Sequence, residues 1–399
     1  LKPKIASRLG KASEAEFLLL DLASHFSSFL NADLARLHFA AHSHHPWPDV
    51  TRAAQMQCWE DAAKLIDGKW DHVLGNILPQ AQRHIAQRLA LPDEKSIVFA
   101  PNTHELLMRL LSCLPASRPL RILTSDSEFH SFTRQIARLE EDGLVQVQRI
   151  AAMPFASFSA RFAEAAKQGF DLIYVSQVFF NSGFAVGDFA DLAAASGDAM
   201  LVVDGYHGFM ARPTDWSPYA DRAFYIAGGY KYAMAGEGVC FMYCPPGWGA
   251  RPRDTGWYAA FGALSAAQPG QVPYAGDGWR FMGATFDPSG LYRFNAVQDW
   301  LQREAVDVTT IHAHVQALQE RFVASLPAGP LASSQLVVPA GLPRGNFLTF
   351  ELENADEVQR RLAAAKVVTD HRGARLRIGF GIYHTFDVVD ALLDRLRNL

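Results

Sequence analysis

The chain has 399 residues, 49% of them hydrophobic and 20% charged, with a formal net charge of -4 at pH 7. That balance belongs to an ordinary globular protein, with room for two or three domains or for one large α/β domain and an appendage. It argues against a nucleic-acid binder, because basic residues never form a long run, and against a disulfide framework, because Cys58, Cys113, Cys240 and Cys244 are too few and too scattered.

In chain order, the first expected element is one amphipathic helix over "FLLLDLA" (17–23). Asp21 interrupts it and Glu14 and Glu16 precede it, which makes it a poor signal peptide. No stretch is apolar for long enough to cross a bilayer, so a soluble, cytoplasmic protein without a membrane partner is expected. "AAHSHHPWP" (40–48) follows. His42, His44 and His45 invite a metal reading, but the proline-rich context and the missing acidic partners favour a loop lining a cleft, and no metal is expected.

From about residue 50 to 245, short β-type runs alternate with helix-period segments. The strands read as "SIVFA" (96–100), "RILTS" (121–125), "VQVQRI" (145–150), "LIYVS" (172–176), "LVVD" (201–204), "FYIA" (224–227) and "GVCFMYC" (238–244). Helical patterns lie near 104–114, 130–141, 156–168 and 188–196. Near-continuous Val/Ile/Leu/Tyr runs suit strands covered on both faces, and their alternation with helices implies a mostly parallel seven-stranded sheet. Cys240 and Cys244 flank Phe241-Met242-Tyr243 in the last strand, with no His or Cys cluster to complete a zinc site; buried thiols are expected. A Gly-, Pro- and aromatic-rich connection (246–290) leads to a long helix over roughly 291–325. A small α/β unit follows, with strands at "GNFLTFEL" and "RLRIGF" and helices at "ADEVQRRLAAA" and "FDVVDALLDRLRN". The expected division is an N-terminal arm at 1–45 that joins the small domain, a large domain at 46–290 and a small C-terminal domain at 291–399.

In mostly parallel sheets, ligands bind at the carboxyl ends of the strands. After the first strand stand Asn102, Thr103 and His104, opening a helix; they read either as a phosphate seat or as plain N-capping. No strand is followed by G-x-G-x-x-G or G-x-x-x-x-G-K-[ST], which weakens dinucleotide and P-loop readings. Glu128 and Phe129 follow the second strand. Asp204 and His207 follow "LVV", and Lys231 follows "FYIAGG". An acid at the end of an apolar strand is costly to desolvate without a cationic partner. A lysine in small, apolar surroundings gains nucleophilicity as burial lowers its pKa. Together these features specify pyridoxal 5′-phosphate: a lysine for the aldehyde, a carboxylate for the ring nitrogen, an aromatic side chain for the ring face and a helix start for the phosphate.

On "YKYAMAGEG", "DGYH" and "VVTDHRGARLRIGFGIYHTFDVV", the chain resembles the class V aminotransferase superfamily of fold-type I pyridoxal phosphate enzymes, and within it kynureninase. The resemblance touches segments from about residue 38 to 390. It implies that Lys231 is the Schiff-base lysine and moves the substrate α-proton. Asp204 would pair with the ring nitrogen, His207 would approach the phenolic oxygen or phosphate, and Phe129 would stack on the ring. Tyr230 would bond the phosphate and assist proton transfer, Thr103 and His104 occupy the phosphate-loop positions, and Trp257 would reach a phosphate across a dimer interface. Arg377 would take the substrate α-carboxylate, with Arg375 on the same strand face as its rival and Arg372 structural. Gly228, Gly229, Ala233 and Gly236 would let a flat cofactor approach.

The resemblance implies a homodimer and a hydrolase that cleaves the Cβ–Cγ bond of a kynurenine-type amino acid, giving alanine and an aryl or acyl acid. An aminotransferase or β-lyase on another amino acid is the alternative. A cysteine desulfurase is disfavoured, because no cysteine follows Cys244, and a non-catalytic regulator has no DNA-binding appendage to support it. The chain departs from kynureninase at 40–48, at Phe129-His130-Ser131-Phe132 and at Phe286-Asp287-Pro288, all on the substrate side.

Overall fold

The computed structural model describes residues 20–266 and 270–399. The helix expected over 17–23 lies largely outside these residues; its described part leads into a single 3₁₀ turn, Ala23–Phe26, and one helical turn, Ser27–Leu30. The strands in chain order are β1 (Leu37–His38), β2 (Ile97–Ala100), β3 (Leu120–Ser125), β4 (Val145–Ile150), β5 (Leu172–Ser176), β6 (Met200–Asp204), β7 (Ala223–Gly228), β8 (Cys240–Tyr243), β9 (Phe347–Glu351), β10 (Val367–Val368), β11 (Asp370–Arg372) and β12 (Arg375–Gly379).

The large sheet has seven strands in the order β2-β8-β7-β6-β5-β3-β4. Only β8 runs antiparallel to its neighbours. The short return from Gly228 to Cys240 explains this, because a parallel return needs a crossover of a dozen or more residues, usually helical. Every residue of β2, β5, β6, β7 and β8 is buried, as two-sided cover by helices requires. At the edge, β4 exposes alternate polar residues such as Gln146 and Arg149.

The single long helix expected over 291–325 is two helices, Ser289–Arg303 and Val308–Ala324. Ala305 adopts a positive φ, and Asp307 caps the second helix by accepting a 2.7 Å bond from the Thr310 amide, so the break is built by local chemistry. The first helix buries Leu291, Phe294, Val297 and Trp300 in the core of the large sheet, which along these two helices runs to Ile311 and further on also takes in Val337, Val338, Ile382 and Tyr383. A second core begins at Val315, gathers Phe350, Leu376 and Leu392, and includes Phe39 from the N-terminal arm. On this packing we propose that the domains divide between Ile311 and Val315, beyond the 291 expected from sequence. The arm itself is stitched to the small domain: β1 pairs in parallel with β10, and Ala40 bridges Gly379.

Beside this arm, His38, His45 and His384 gather around Tyr383, and His314 joins them through His384. His384 takes the Gly381 amide on Nδ1 and gives Nε2–H to the His38 carbonyl, and His314 takes the Leu20 amide and bonds the His384 carbonyl. Burial lowers His38 to about 3, His45 and His314 to about 4, and His384 well below its usual value. The folded protein therefore holds them neutral at a pH where the unfolded chain, titrating near ~6.5, takes up protons. The contribution of these histidines to stability is expected to be level above about pH 6.5 and to fall from there toward pH 4, by roughly 2 kcal/mol for each such histidine at pH 5. Urea midpoints measured between pH 8 and pH 5 test this; a flat profile would contradict it. His384→Gln should reduce the slope.

Candidate active site

The carboxyl ends of the parallel strands meet over a cavity of about 210 Å³, walled by Asn102, Thr103, Phe129, Ser176, Phe180, Asp204, Tyr206, His207, Tyr230, Lys231 and Cys240. Its position follows from the sheet: Asp204 ends β6, Ser176 pairs with it at the end of β5, and Lys231 lies in the tight return from β7 to β8.

Lys231 is buried, with Nζ at 2.5 Å from His207 Nε2. Phe129, Tyr206 and Tyr230 box it in, with ring centroids 5.1, 5.3 and 5.7 Å from Nζ. Burial lowers its pKa to about 7; Asp204 opposes the shift and Arg377 adds to it. Near neutral pH a substantial fraction of the side chain is therefore a free amine and a competent nucleophile. Asp204 is buried too, and burial pushes its pKa up. Its oxygens accept the Tyr174 hydroxyl at 3.0 Å and the Tyr206 amide at 2.9 Å, which fix the carboxylate at the strand end. Burial and the neighbouring Lys231 hold His207 well below the usual histidine range, so its ring is neutral. Nε2 faces Lys231, and Nδ1 is buried without a partner.

These residues fit pyridoxal phosphate. A nucleophilic lysine, a fixed carboxylate, an aromatic face at Phe129 and an unpartnered His207 nitrogen surround one space. The helix Thr103–Cys113 opens on it, with Asn102 accepting the Glu105 amide at 3.1 Å. The capping and phosphate-seat readings of this helix start are thus compatible.

Other expected site residues lie elsewhere. His104 is exposed and lines a neighbouring groove with His130, Arg134 and Glu141, which shares Ser131 with the Lys231 cavity. It is the second residue of its helix, so it points outward while Thr103 faces in. Trp257 is 46% exposed and stacks on Tyr258 at 4.2 Å. The glycines of the lysine turn serve protein packing rather than a flat ligand. A Cβ on Gly228 would meet the Tyr206 hydroxyl at 2.3 Å, and one on Gly236, at a φ of +73°, would strike Trp47 at 2.2 Å.

Arg377 is buried while Arg375 is partly exposed, which separates the two rivals. Arg377 is not in the cavity wall. It lies behind Phe180, donates Nε–H to Asp370 at 2.9 Å and Nη2–H to the other Asp370 oxygen, and donates Nη1–H to the Phe180 carbonyl at 2.5 Å. The three histidines of 40–48 part company: His42 bonds Asp370, His44 lies 5.7 Å from the Tyr230 ring, and His45 bonds the Pro46 carbonyl. Among the described residues, no group of three or more His, Cys, Asp or Glu could hold a metal ion.

Sequence reasoning passed over Glu128 except as the neighbour of Phe129. It is buried between Ser125 and Ser176, whose hydroxyls each donate to it at 2.5 Å. Burial pushes its carboxyl up to about 8, against the two serine bonds and with a further push from Asp204. It ties the ends of β3 and β5 together beneath Phe129. Tyr174 and Tyr206 were missed as well: Tyr174 lies within a β-type run and reads as core, and Tyr206 stands in "DGYH" between two residues that drew the attention.

A large, mostly parallel sheet with a small C-terminal sheet, and a buried lysine facing a strand-end aspartate, define a fold-type I pyridoxal phosphate enzyme. The chain belongs to the family described as "Aminotransferase class-V", which residues 68–392 match. It is similar to a probable cysteine desulfurase of Vibrio cholerae serotype O1, at 23% identity over 336 residues, covering 78% of this chain and 80% of that protein. Among solved structures it resembles the cystine C–S lyase C-DES in complex with its reaction product cysteine persulfide, with a TM-score of 0.78, 16% identity and 91% and 98% of the two chains covered. It also resembles the cysteine desulfurase CsdA of Escherichia coli, with a TM-score of 0.75, 15% identity and 95% and 98% covered. The family is the one expected from sequence, but these relatives are named for carbon–sulfur chemistry rather than for kynurenine. Among the described residues, no helix is long and apolar enough to cross a membrane.

Proposed function

We propose that the protein is a β-lyase: it acts on an α-amino acid with a leaving group on Cβ, of the cysteine or cystine type, and releases that group to solvent. The observation that carries this reading is that the one thiol beside the lysine is placed where it cannot act as a nucleophile. Of the four cysteines, Cys240 alone lines the Lys231 cavity, and it does so from a strand end with its Sγ 3.3 Å from the Tyr206 hydroxyl. Burial pushes its thiol up to about 12, too high for a nucleophile. No cysteine follows Cys244, so the small domain offers no thiol to accept sulfur. Similarity to desulfurases without such a thiol supports elimination rather than transfer of sulfur to the protein.

When bound, pyridoxal phosphate supplies an aldehyde that condenses with amines and a ring that draws an electron pair away from the substrate Cα. Lys231, partly a free amine near neutral pH, takes the Cα proton. Asp204 would hold a proton at the ring nitrogen, His207 would approach a cofactor oxygen, and Phe129 would support the ring face. Tyr230, whose hydroxyl burial pushes up to about 12, stays a proton donor and can protonate the departing group. Arg377 receives the α-carboxylate. We place Trp257 and its exposed neighbour Phe261 at a homodimer interface.

Kynurenine-type hydrolysis is the second reading, favoured by the aromatic wall of Phe129 and Phe180, which meet edge to face at 5.3 Å. A substrate panel separates the two. L-cysteine or L-cystine should give pyruvate, ammonia and a sulfur product, while L-kynurenine and 3-hydroxykynurenine should give no fluorescent anthranilate. Alanine and an anthranilate with no pyruvate would reverse the order; conversion of the cofactor to its amine form by an amino acid, restored by a keto acid, would favour transamination.

A further inference from the structure

Arg377, read above as the carboxylate seat, is held from the N-terminal arm. Arg377 sits on β12 opposite Asp370 of β11 in the sheet register, and the buried guanidinium pairs with the partly exposed carboxylate through Nε and Nη2. Asp370 has a third partner: His42 Nε2 lies 2.9 Å from Oδ1, the same oxygen that accepts Arg377 Nε–H. A carboxylate only accepts, so His42 must donate through Nε2–H, which leaves Nδ1 as a lone pair. That Nδ1 is buried and unpartnered.

Nothing lets His42 drift. The arm that carries it is fixed by the β1–β10 pair and by the Gly379 amide, which donates to the Phe39 carbonyl at 2.7 Å. Its ring is fully buried and stacks on Phe347 at 4.7 Å. Opposite, a Cβ on residue 379 would sit 2.1 Å from Nδ1, so only glycine leaves the ring room. Burial lowers His42 to about 4 despite Asp370, which keeps it a neutral donor at physiological pH. Burial alone would raise Asp370, but bonds from His42 and the charge of Arg377 hold its carboxyl well below the usual range.

We propose that His42 and Asp370 are positioning residues for substrate-carboxylate recognition: the His42–Asp370–Arg377 relay fixes the plane of the guanidinium, so that its remaining N–H groups, one on each terminal nitrogen, meet the α-carboxylate as a fork. The proposal rests on the reading that Arg377 is the carboxylate seat. It makes the arm part of substrate recognition although His42 does not border the Lys231 cavity. A planar fork helps only if it is held in plane; Asp370 and the Phe180 carbonyl hold the guanidinium, and His42 in turn fixes the Asp370 carboxylate against which it lies.

The test uses the cofactor-loaded protein and binding rather than turnover. L-alanine, which has no leaving group, and L-alaninamide, which has no carboxylate, are titrated while the visible spectrum of the cofactor is followed. His42→Leu should weaken L-alanine about tenfold, the scale of a hydrogen bond to a charged group, and leave L-alaninamide unchanged. His42→Gln keeps a donor near Nε2 and should restore most of the difference. Equal weakening of both ligands, or no weakening of either, overturns the relay and leaves a packing role for His42. Arg377→Lys is the separate check on the seat. If it fails to discriminate between the two ligands, the carboxylate reading falls and the relay with it; if it discriminates and His42→Leu does not, only the relay falls.

Discussion

Lys231→Ala is expected to abolish covalent retention of pyridoxal phosphate and to lower turnover by at least about 10²–10⁴-fold, the scale of losing a positioned general base. The expectation follows from geometry that the fold enforces. The return from β7 to β8 leaves Lys231 in a cavity wall at the carboxyl end of the sheet, buried, with three aromatic rings within 6 Å of Nζ. Desolvation brings its pKa to about 7, so its capture of the cofactor should follow a pH profile with a midpoint near 7, against ~10.4 for a free lysine. The same shift has a stability consequence. Between those two values the unfolded chain holds a proton that the folded, cofactor-free protein does not, so its stability should rise with pH across that window. The alanine variant should lose this rise. Retained spectra and turnover in Lys231→Ala would end the assignment.

Asp204→Asn carries the second largest effect. The substitution keeps the shape and one acceptor for the Tyr206 amide or the Tyr174 hydroxyl, so the fold should survive. On the proposed assignment it removes the charge that would keep a proton on the cofactor ring nitrogen, and with it the fixed electrostatic stabilisation of charge developing at Cα. A loss of about 10²–10³-fold in kcat is expected, with KM changed far less. Asp204 also raises the pKa of Lys231, so the midpoint of cofactor capture should move below 7 in this variant. A purely structural aspartate would not produce that shift. Unchanged kcat together with an unchanged capture profile would remove Asp204 from the site.

All seven strands of the large sheet were legible, because two-sided burial leaves unbroken apolar runs and each chemical residue follows such a run. Strand order was not legible. Pairing β2 with β8 joins segments far apart in sequence, and no local pattern encodes it. The break at 304–307 hid inside a continuous helical period, although Asp307 followed by Thr309 and Thr310 was a readable cap. Lys231, Asp204, His207 and Phe129 surround one cavity because their strand-end positions follow from the sheet itself. Trp257 was assigned from resemblance alone and lies on an exposed surface; His104 was read from its place at a helix start as well, but the second position of that helix turns it to the neighbouring groove. Glu128 escaped because its partners, Ser125 and Ser176, end different strands. The Arg377 environment escaped for the same reason: Asp370 lies near it in sequence, but His42 comes from the opposite end of the chain and Phe180 from the large domain. Glycines in the lysine turn look the same in sequence whether they make room for a ligand or for Trp47 and Tyr206.

The central claim is that Lys231 holds the cofactor. Reduction of the cofactor-loaded protein with borohydride, followed by proteolysis and mass mapping, tests it most directly. The account predicts one modified peptide, carrying the reduced cofactor on Lys231 within "AFYIAGGYKYAMAGEG". A label on any other lysine, or no label on a protein shown to have bound the cofactor, would contradict it.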